Sequence, residues 1–209
     1  KLEVILEDVP ESLQSWFPVT FDMAWLDTQY GIVDSLLNGF LFMFPIIFLI
    51  IFVTTRNIFL TILALLSIFG TVSSVFGTIK IMGWSIGITE AIAGIMVIGL
   101  SVDYVIHICH IYSITIRDGK NRLEAFELTS NNMGHTLLAA AITTGLSSSA
   151  MFFCDLPFFH TMANIISLTV LYSISYSFLF LLPLLSLIGP EGSFGQITCN
   201  FLSSTHPEI

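Results

Sequence analysis

Gly99-Leu100-Ser101-Val102-Asp103-Tyr104-Val105-Ile106-His107 is the stretch on which the fold turns. Mostly apolar sequence flanks it, residues 91–102 before Asp103 and 104–116 after it, with His107 and His110 as the main polar breaks. An ionisable side chain at bilayer depth costs about 2.5–3.5 kcal/mol on insertion scales. A chain that keeps one there normally turns it into a helix bundle, where it marks an ion or substrate pathway.

The composition around this stretch is that of a membrane protein. Hydrophobic residues make up 55% of the chain and charged residues only 10%, with mean hydropathy +0.90; soluble domains carry about 25% charged residues. The formal charge of −9 is uneven, because residues 1–35 hold seven acids (Glu3, Glu7, Asp8, Glu11, Asp22, Asp27, Asp34) against one base, Lys1. The acidity therefore belongs to a water-exposed arm, and nothing basic enough to bind nucleic acid is present. Cys109, Cys154 and Cys199 are scattered, with no CxxC or Cys/His metal spacing, so no metal site and no disulfide framework is expected. No basic segment precedes an apolar run at Lys1, so no signal peptide is read there, and the start looks like the continuation of a longer chain.

Working outward, five segments are long enough to cross a bilayer, which takes about 20 apolar residues per helix. They lie at about 36–55, 58–79, 88–116, 135–153 and 161–188. Pro45 falls inside the first, where a kink is expected. Residues 117–134 form the one substantial polar connection. Leu123 and Phe126 stand three apart among charges there, a pattern for a short amphipathic helix on the membrane surface. Arg56, Arg117, Lys120 and Arg122 fall on one side of this layout and Lys1 and Lys80 on the other, which places the Arg56 turn, residues 117–134 and the 189–209 tail in the cytosol. The Trp84 loop, residues 155–157 and the N-terminal arm then lie outside. Leu2, Val4 and Leu6 alternate as in a strand, and residues 21–35 suit a helix leading into the membrane. The arm, 1–35, reads as the end of an extracytosolic α+β domain ahead of an all-α, polytopic, five-helix membrane domain at 36–188.

Gly99, Asp103 and His107 are spaced by four, so on a helix they form one stripe. Glycine in such a stripe admits a neighbouring helix, and Asp103 and His107 can share a hydrogen bond or a proton on that buried face. The competing reading keeps Asp103 protonated as interhelical glue. His110, three residues further, reads first as an interfacial or packing residue. Glu90, near the start of the third span, reads as a solvated carboxylate that also suits the helix dipole. Thr143 and Thr144 stand among small residues of the fourth span. They read as packing material, with a hydrogen bond to Asp103 as the functional alternative. There is no nucleophile elbow, no nucleotide-binding glycine loop and no second carboxylate at helical spacing from Asp103. No enzyme activity, cofactor or catalytic residue is expected.

The Gly99–His107 motif resembles the central helix of the Patched/Dispatched branch of the resistance-nodulation-division (RND) transporters. Niemann-Pick type C proteins and mycobacterial lipid exporters carry similar versions. Glu124-Ala125-Phe126-Glu127-Leu128-Thr129, the run Ala141-Ile142-Thr143-Thr144-Gly145, and the stretch from Leu182-Pro183 to Gly189-Pro190 also resemble that family. Five helices behind an outer arm look like the second half of such a protein, and an aspartate with a histidine four later looks more like Dispatched than Patched. The resemblance implies an integral, multi-pass C-terminal half-bundle that moves sterol, lipid or lipid-modified cargo on a proton or sodium gradient. It implies Asp103 and His107 as the ion relay, with Gly99, Thr143 and Thr144 in support. The implied partners are membrane lipids, the cargo, and an N-terminal half or second bundle. A sterol-responsive regulatory module without transport and a structural membrane subunit are the alternatives.

Overall fold

A computed structural model of the chain describes residues 21–84 and 87–190. The expected strand in the outer arm and most of the tail lie outside the described residues. Six helices follow in order: α1 (Phe21–Thr55), α2 (Ile58–Ile81), α3 (Ile88–Arg117), α4 (Arg122–Ala150), α5 (Pro157–Ser175) and α6 (Leu182–Ile188). A 3-10 turn, Met151–Phe153, follows α4, and a π-helical turn, Tyr176–Leu181, joins α5 to α6. Five stretches are long and apolar enough to span a membrane: Asp27–Thr55, Ile58–Ile81, Thr89–Arg117, Arg122–Phe153 and Pro157–Ile188. The described residues are all-α, and the chain is a polytopic, integral membrane protein.

Two helices differ from the sequence expectation. The first span does not begin at 36, because residues 21–35 continue it without a break and Pro45 sits inside one 35-residue helix. The polar connection also shrinks. Residues 122–134 are the opening turns of α4 rather than a separate surface helix. The physical reason is packing: Ala125 and Thr129 are buried, and Arg122 Nη1 donates to Leu187 O at 3.1 Å, which ties the segment to the end of α6.

The hinge between α1 and α2 is short because each residue has a defined task. Arg56 adopts a positive φ of 52°, and Asn57 Oδ1 accepts from the backbone N–H groups of Phe59 and Leu60 at 3.0 and 3.2 Å. Those bonds satisfy donors that open the next helix and have no partner within it. Ser113 Oγ donates to Thr55 O at 2.8 Å, so the same hinge anchors the far end of α3.

The helix at the centre is α3, which packs against α1, α2, α4 and α5. Its inward positions Val97, Ile98, Val105, Ile108 and Tyr112 are fully buried, against Ile68 and Val75 of α2 and Ile165 of α5. Hydroxyl pairs add direction to this apolar core. Tyr172 OH and Thr78 Oγ1 lie 2.8 Å apart, as do Tyr176 OH and Ser74 Oγ, which makes one rung from α2 to α5 and a second to the π turn that follows it. Gly70 leaves room for the Tyr176 ring: a Cβ there would stand 2.6 Å from Tyr176 Cε1. By contrast α1 turns Leu37, Leu41, Phe42, Leu49 and Val53 outward, an apolar face suited to lipid.

Candidate functional site

The Asp103 stripe faces away from this chain's own core. Gly99, Asp103 and His107 are all exposed, continuing a line that begins at Ile92 and Met96 and ends at Ile114. Tyr104, one residue on, is buried at 4% exposure. The expectation of a buried Asp103/His107 face is therefore corrected for this chain taken alone. Four helices already surround the rest of α3, and the stripe occupies the arc between α1 and α4 that they leave open. At Gly99 a Cβ would meet nothing within 4 Å, so among the described residues no helix takes up the close approach it permits. Among the described residues no hydrogen bond joins Asp103 to His107.

Depth sharpens the problem this poses. Asp103 lies fifteen residues after Ile88 and fourteen before Arg117, about 21–22 Å from each end of α3 at 1.5 Å per residue. A carboxyl in mid-span and open to the side is costly against hydrocarbon, and such groups normally face protein or water.

Two grooves meet at Asp103. One, of about 530 Å³, is lined by Met96, Gly99, Asp103, Thr144, Ser147 and Met151 among others. The second, of about 270 Å³, continues along the same face past Asp103, Tyr104, His107, Leu137, Ala140 and Thr144. Thr144 belongs to both, and it is hydrogen-bonded to Tyr104. Its own hydroxyl donates to Ala140 O at 2.9 Å, as Thr143 does at 2.8 Å. Thr144 thus stands beside Asp103, whereas Thr143 points outward from α4 and lines neither groove. Among the described residues neither threonine hydrogen-bonds to Asp103.

The wall opposite α3 differs from the lipid-facing side of α1. Outward positions of α4 include Thr136, Ala139, Ala140, Thr143 and Ser147. Small and hydroxylated residues of this kind let another helix approach closely and hydrogen-bond in a membrane. Glu90 caps the start of α3, its Oε2 accepting from Gly87 N at 2.9 Å, so it is a local capping group rather than part of the stripe. Among the described residues no three His, Cys, Asp or Glu side chains gather as metal ligands do.

Sequence reasoning missed Tyr104, which lines the second groove beside Asp103. Ser147 and Ser148 read from the sequence as helix-packing residues of the fourth span, like Thr143 and Thr144; Ser147 lines the first groove, and Ser148 Oγ pairs with Ser167 Oγ at 2.8 Å to fix α4 against α5. The signal for Tyr104 was available, because a phenol within a span needs a polar partner. Which hydroxyl would supply it depends on the register between α3 and α4, and one helix cannot show that.

Comparison with known proteins places these features in context. Residues 27–197 match the MMPL family. The chain is 26% identical over 193 residues to the mouse (Mus musculus) protein named dispatched homolog 1, covering 92% of this chain and 12% of that protein. It is 30% identical over 178 residues to the chicken (Gallus gallus) protein named dispatched homolog 3, covering 78% of this chain and 13% of the relative. A Niemann-Pick type C1-related protein of Plasmodium falciparum (isolate 3D7) is 28% identical over 116 residues, covering 56% of this chain and 8% of that protein. The chain therefore spans roughly an eighth of the length of the dispatched relatives, as the 12% and 13% coverages state.

Proposed function

The chain belongs to the MMPL family, on the Patched/Dispatched-like branch of the RND superfamily, and from that premise we propose that it is the C-terminal membrane half of a transporter. The cargo is a sterol, a lipid or a lipid-modified molecule, and the driving force is a proton or sodium gradient acting through Asp103 and His107. The observation that carries this reading is the open stripe itself. Asp103 is held in mid-span, without a hydrogen-bond partner among the described residues and flanked by two grooves, on the arc that the four helices packed around α3 leave uncovered.

A carboxyl in that position supports coupling because its charge state and its partner can change together. As a carboxylate it attracts a cation that enters along the hydroxyl-lined groove of Thr144 and Ser147. Once protonated or ion-paired it is nearly neutral, and its cost against an apolar partner surface falls. A second bundle packed on the α3/α4 face then sees two different surfaces in the two states. That difference in interaction free energy is what a gradient needs in order to drive a conformational cycle. His107, one turn along, receives or returns the proton, and Gly99 lets the second bundle approach on the other side of Asp103. The Arg56 hinge lies on the cytosolic side in this reading, and the Trp84 loop outside.

The test is Asp103→Asn in the full-length protein, which keeps the size of the side chain and removes its titration. Gradient-dependent cargo movement should fall by about 10²-fold or more, the lower range for losing a proton-transfer group, with membrane abundance unchanged. Parental gradient-driven movement in that variant refutes the relay.

A further inference from the structure

His110 lies seven residues, two helical turns, beyond Asp103 on α3 and so falls on the same line of the helix. It sits on the open arc with His107, towards the Arg56 end, and is half-buried. Its Nδ1 is enclosed, and among the described residues it has no hydrogen-bond partner. Buried imidazole nitrogens are normally hydrogen-bonded, so an enclosed one with no partner among the described residues is an exception that asks for a role.

The path on either side of Asp103 is chemically uneven. Towards the Trp84 end the groove is lined mostly by apolar side chains, among them Met96, Leu100 and Met151, and its polar groups are the hydroxyls of Thr144 and Ser147. Towards the Arg56 end the polar groups that α3 sets on the open arc before Arg117 are imidazoles, His107 and His110. Oxygen ligands suit a hard cation, whereas an imidazole readily takes up and releases a proton.

We propose that His110 is the inner station of the ion path, and that the ion leaving Asp103 towards the Arg56 end is a proton handed from His107 to His110. This rests on the transporter reading above and adds to it both the identity of the ion on the inner side and a residue that conducts it. In the step, protonated Asp103 gives its proton to His107 and becomes carboxylate. The imidazolium of His107 then passes a proton to neutral His110 and returns to neutral, and His110 releases it to water. Side chains three or four apart on a helix hold their Cβ atoms about 5–6 Å from each other. The reach of the rings, or one bridging water, closes that distance.

The surroundings of His110 leave this titration to few groups. On α3 the other ionisable residues from mid-span onward are Asp103, Tyr104, His107, Cys109, Tyr112 and Arg117. From α4 come His135 and, nearer its start, Glu127, Glu124 and Arg122. Among the packed helices, α1 offers none between Asp34 and Arg56, and α2 none before Lys80 at the far end. The last span, α5 with its π turn, adds His160 at the Trp84 end and the hydroxyls of Tyr172 and Tyr176, both paired with α2. His135 is already engaged, its Nδ1 lying 3.1 Å from Asn131 O.

The experiment compares full-length parent, Asp103→Asn, His110→Gln and His110→Asn in sealed vesicles, with pH set independently on each side. His110→Gln and His110→Asn should each lower cargo movement by about 10²-fold or more, the lower range for losing a proton-transfer group, and should flatten its dependence on the pH of the Arg56 side. A packing role would lower abundance and leave the shape of that pH profile intact. Loss of movement in Asp103→Asn, together with parental rate and pH profile in both His110 variants, overturns the inference and leaves the transporter reading standing. Parental movement in Asp103→Asn instead overturns the transporter reading. Should neither His110 variant reach the membrane, the parent alone decides. Movement on a pH gradient at equal sodium supports the proposal, and movement that needs a sodium gradient and ignores pH refutes it.

Discussion

The two-rung clasp between α2 and the last span, α5 with its π turn, makes a prediction whose size follows from its geometry. Tyr172 and Tyr176, four apart, meet Thr78 and Ser74, four apart, each pair at 2.8 Å. The rungs are not equivalent. Thr78 Oγ1 also donates to Ser74 O at 2.9 Å, so Tyr172→Phe leaves that hydroxyl satisfied. Among the described residues Ser74 Oγ has Tyr176 as its only side-chain partner, and Tyr176→Phe orphans it inside the bundle. Hydroxyl bonds between membrane helices contribute on average about 0.6 kcal/mol, with a ceiling near 1.7. Tyr172→Phe should therefore cost about 0.5 kcal/mol, and Tyr176→Phe should approach the ceiling of about 1.7. Gly70→Ala attacks the same rung by volume: its Cβ would stand 2.6 Å from the Tyr176 ring, and overpacking of this kind costs about 1–3 kcal/mol. Equilibrium unfolding in bicelles would measure all three, and a Ser74→Ala/Tyr176→Phe double-mutant cycle would isolate the bond. A cycle with no coupling, or a Tyr172→Phe cost at or above that of Tyr176→Phe, refutes the reasoning.

Two further outcomes follow. Asn57→Ala removes both side-chain bonds that cap α2 and should destabilise the bundle by about 0.5–2 kcal/mol in the same unfolding measurement, with Asn57→Asp retaining most of the cap. Cys154 is exposed on the turn after α4 whereas Cys109 is buried. With every other cysteine replaced by serine, a membrane-impermeant maleimide should label Cys154 from outside intact cells and leave Cys109 unlabelled. Labelling of Cys154 only after permeabilisation would reverse the proposed orientation.

The spans were legible because crossing a membrane is a local property. About 20 apolar residues bonding their own backbone satisfy the bilayer wherever they sit. The ends of elements were less legible. Residues 122–134 are polar enough to read as a surface helix, and only their contacts show them as the start of α4, with Ala125 and Thr129 inward and Arg122 on Leu187 O. In the site, Asp103 and His107 stood out because charge in an apolar run is costly. Tyr104, Ser147 and the rest of the groove did not, because tyrosine, serine and methionine are ordinary residues inside spans.

Sequence alone therefore determined that this is a membrane protein with five spanning segments, that α3 carries an ionisable group in mid-span, and that Asp103 and His107 share a stripe. Composition and helical periodicity are enough for each of these. The tertiary structure decided which way the stripe faces. That direction depends on how closely four other helices approach α3 and from which sides. Contacts far apart in the chain set those approaches, such as Ser113 on Thr55 O and Tyr112 on Leu185 O. They fill every side of α3 except the one that Asp103 occupies, and so leave its carboxyl open to a partner surface.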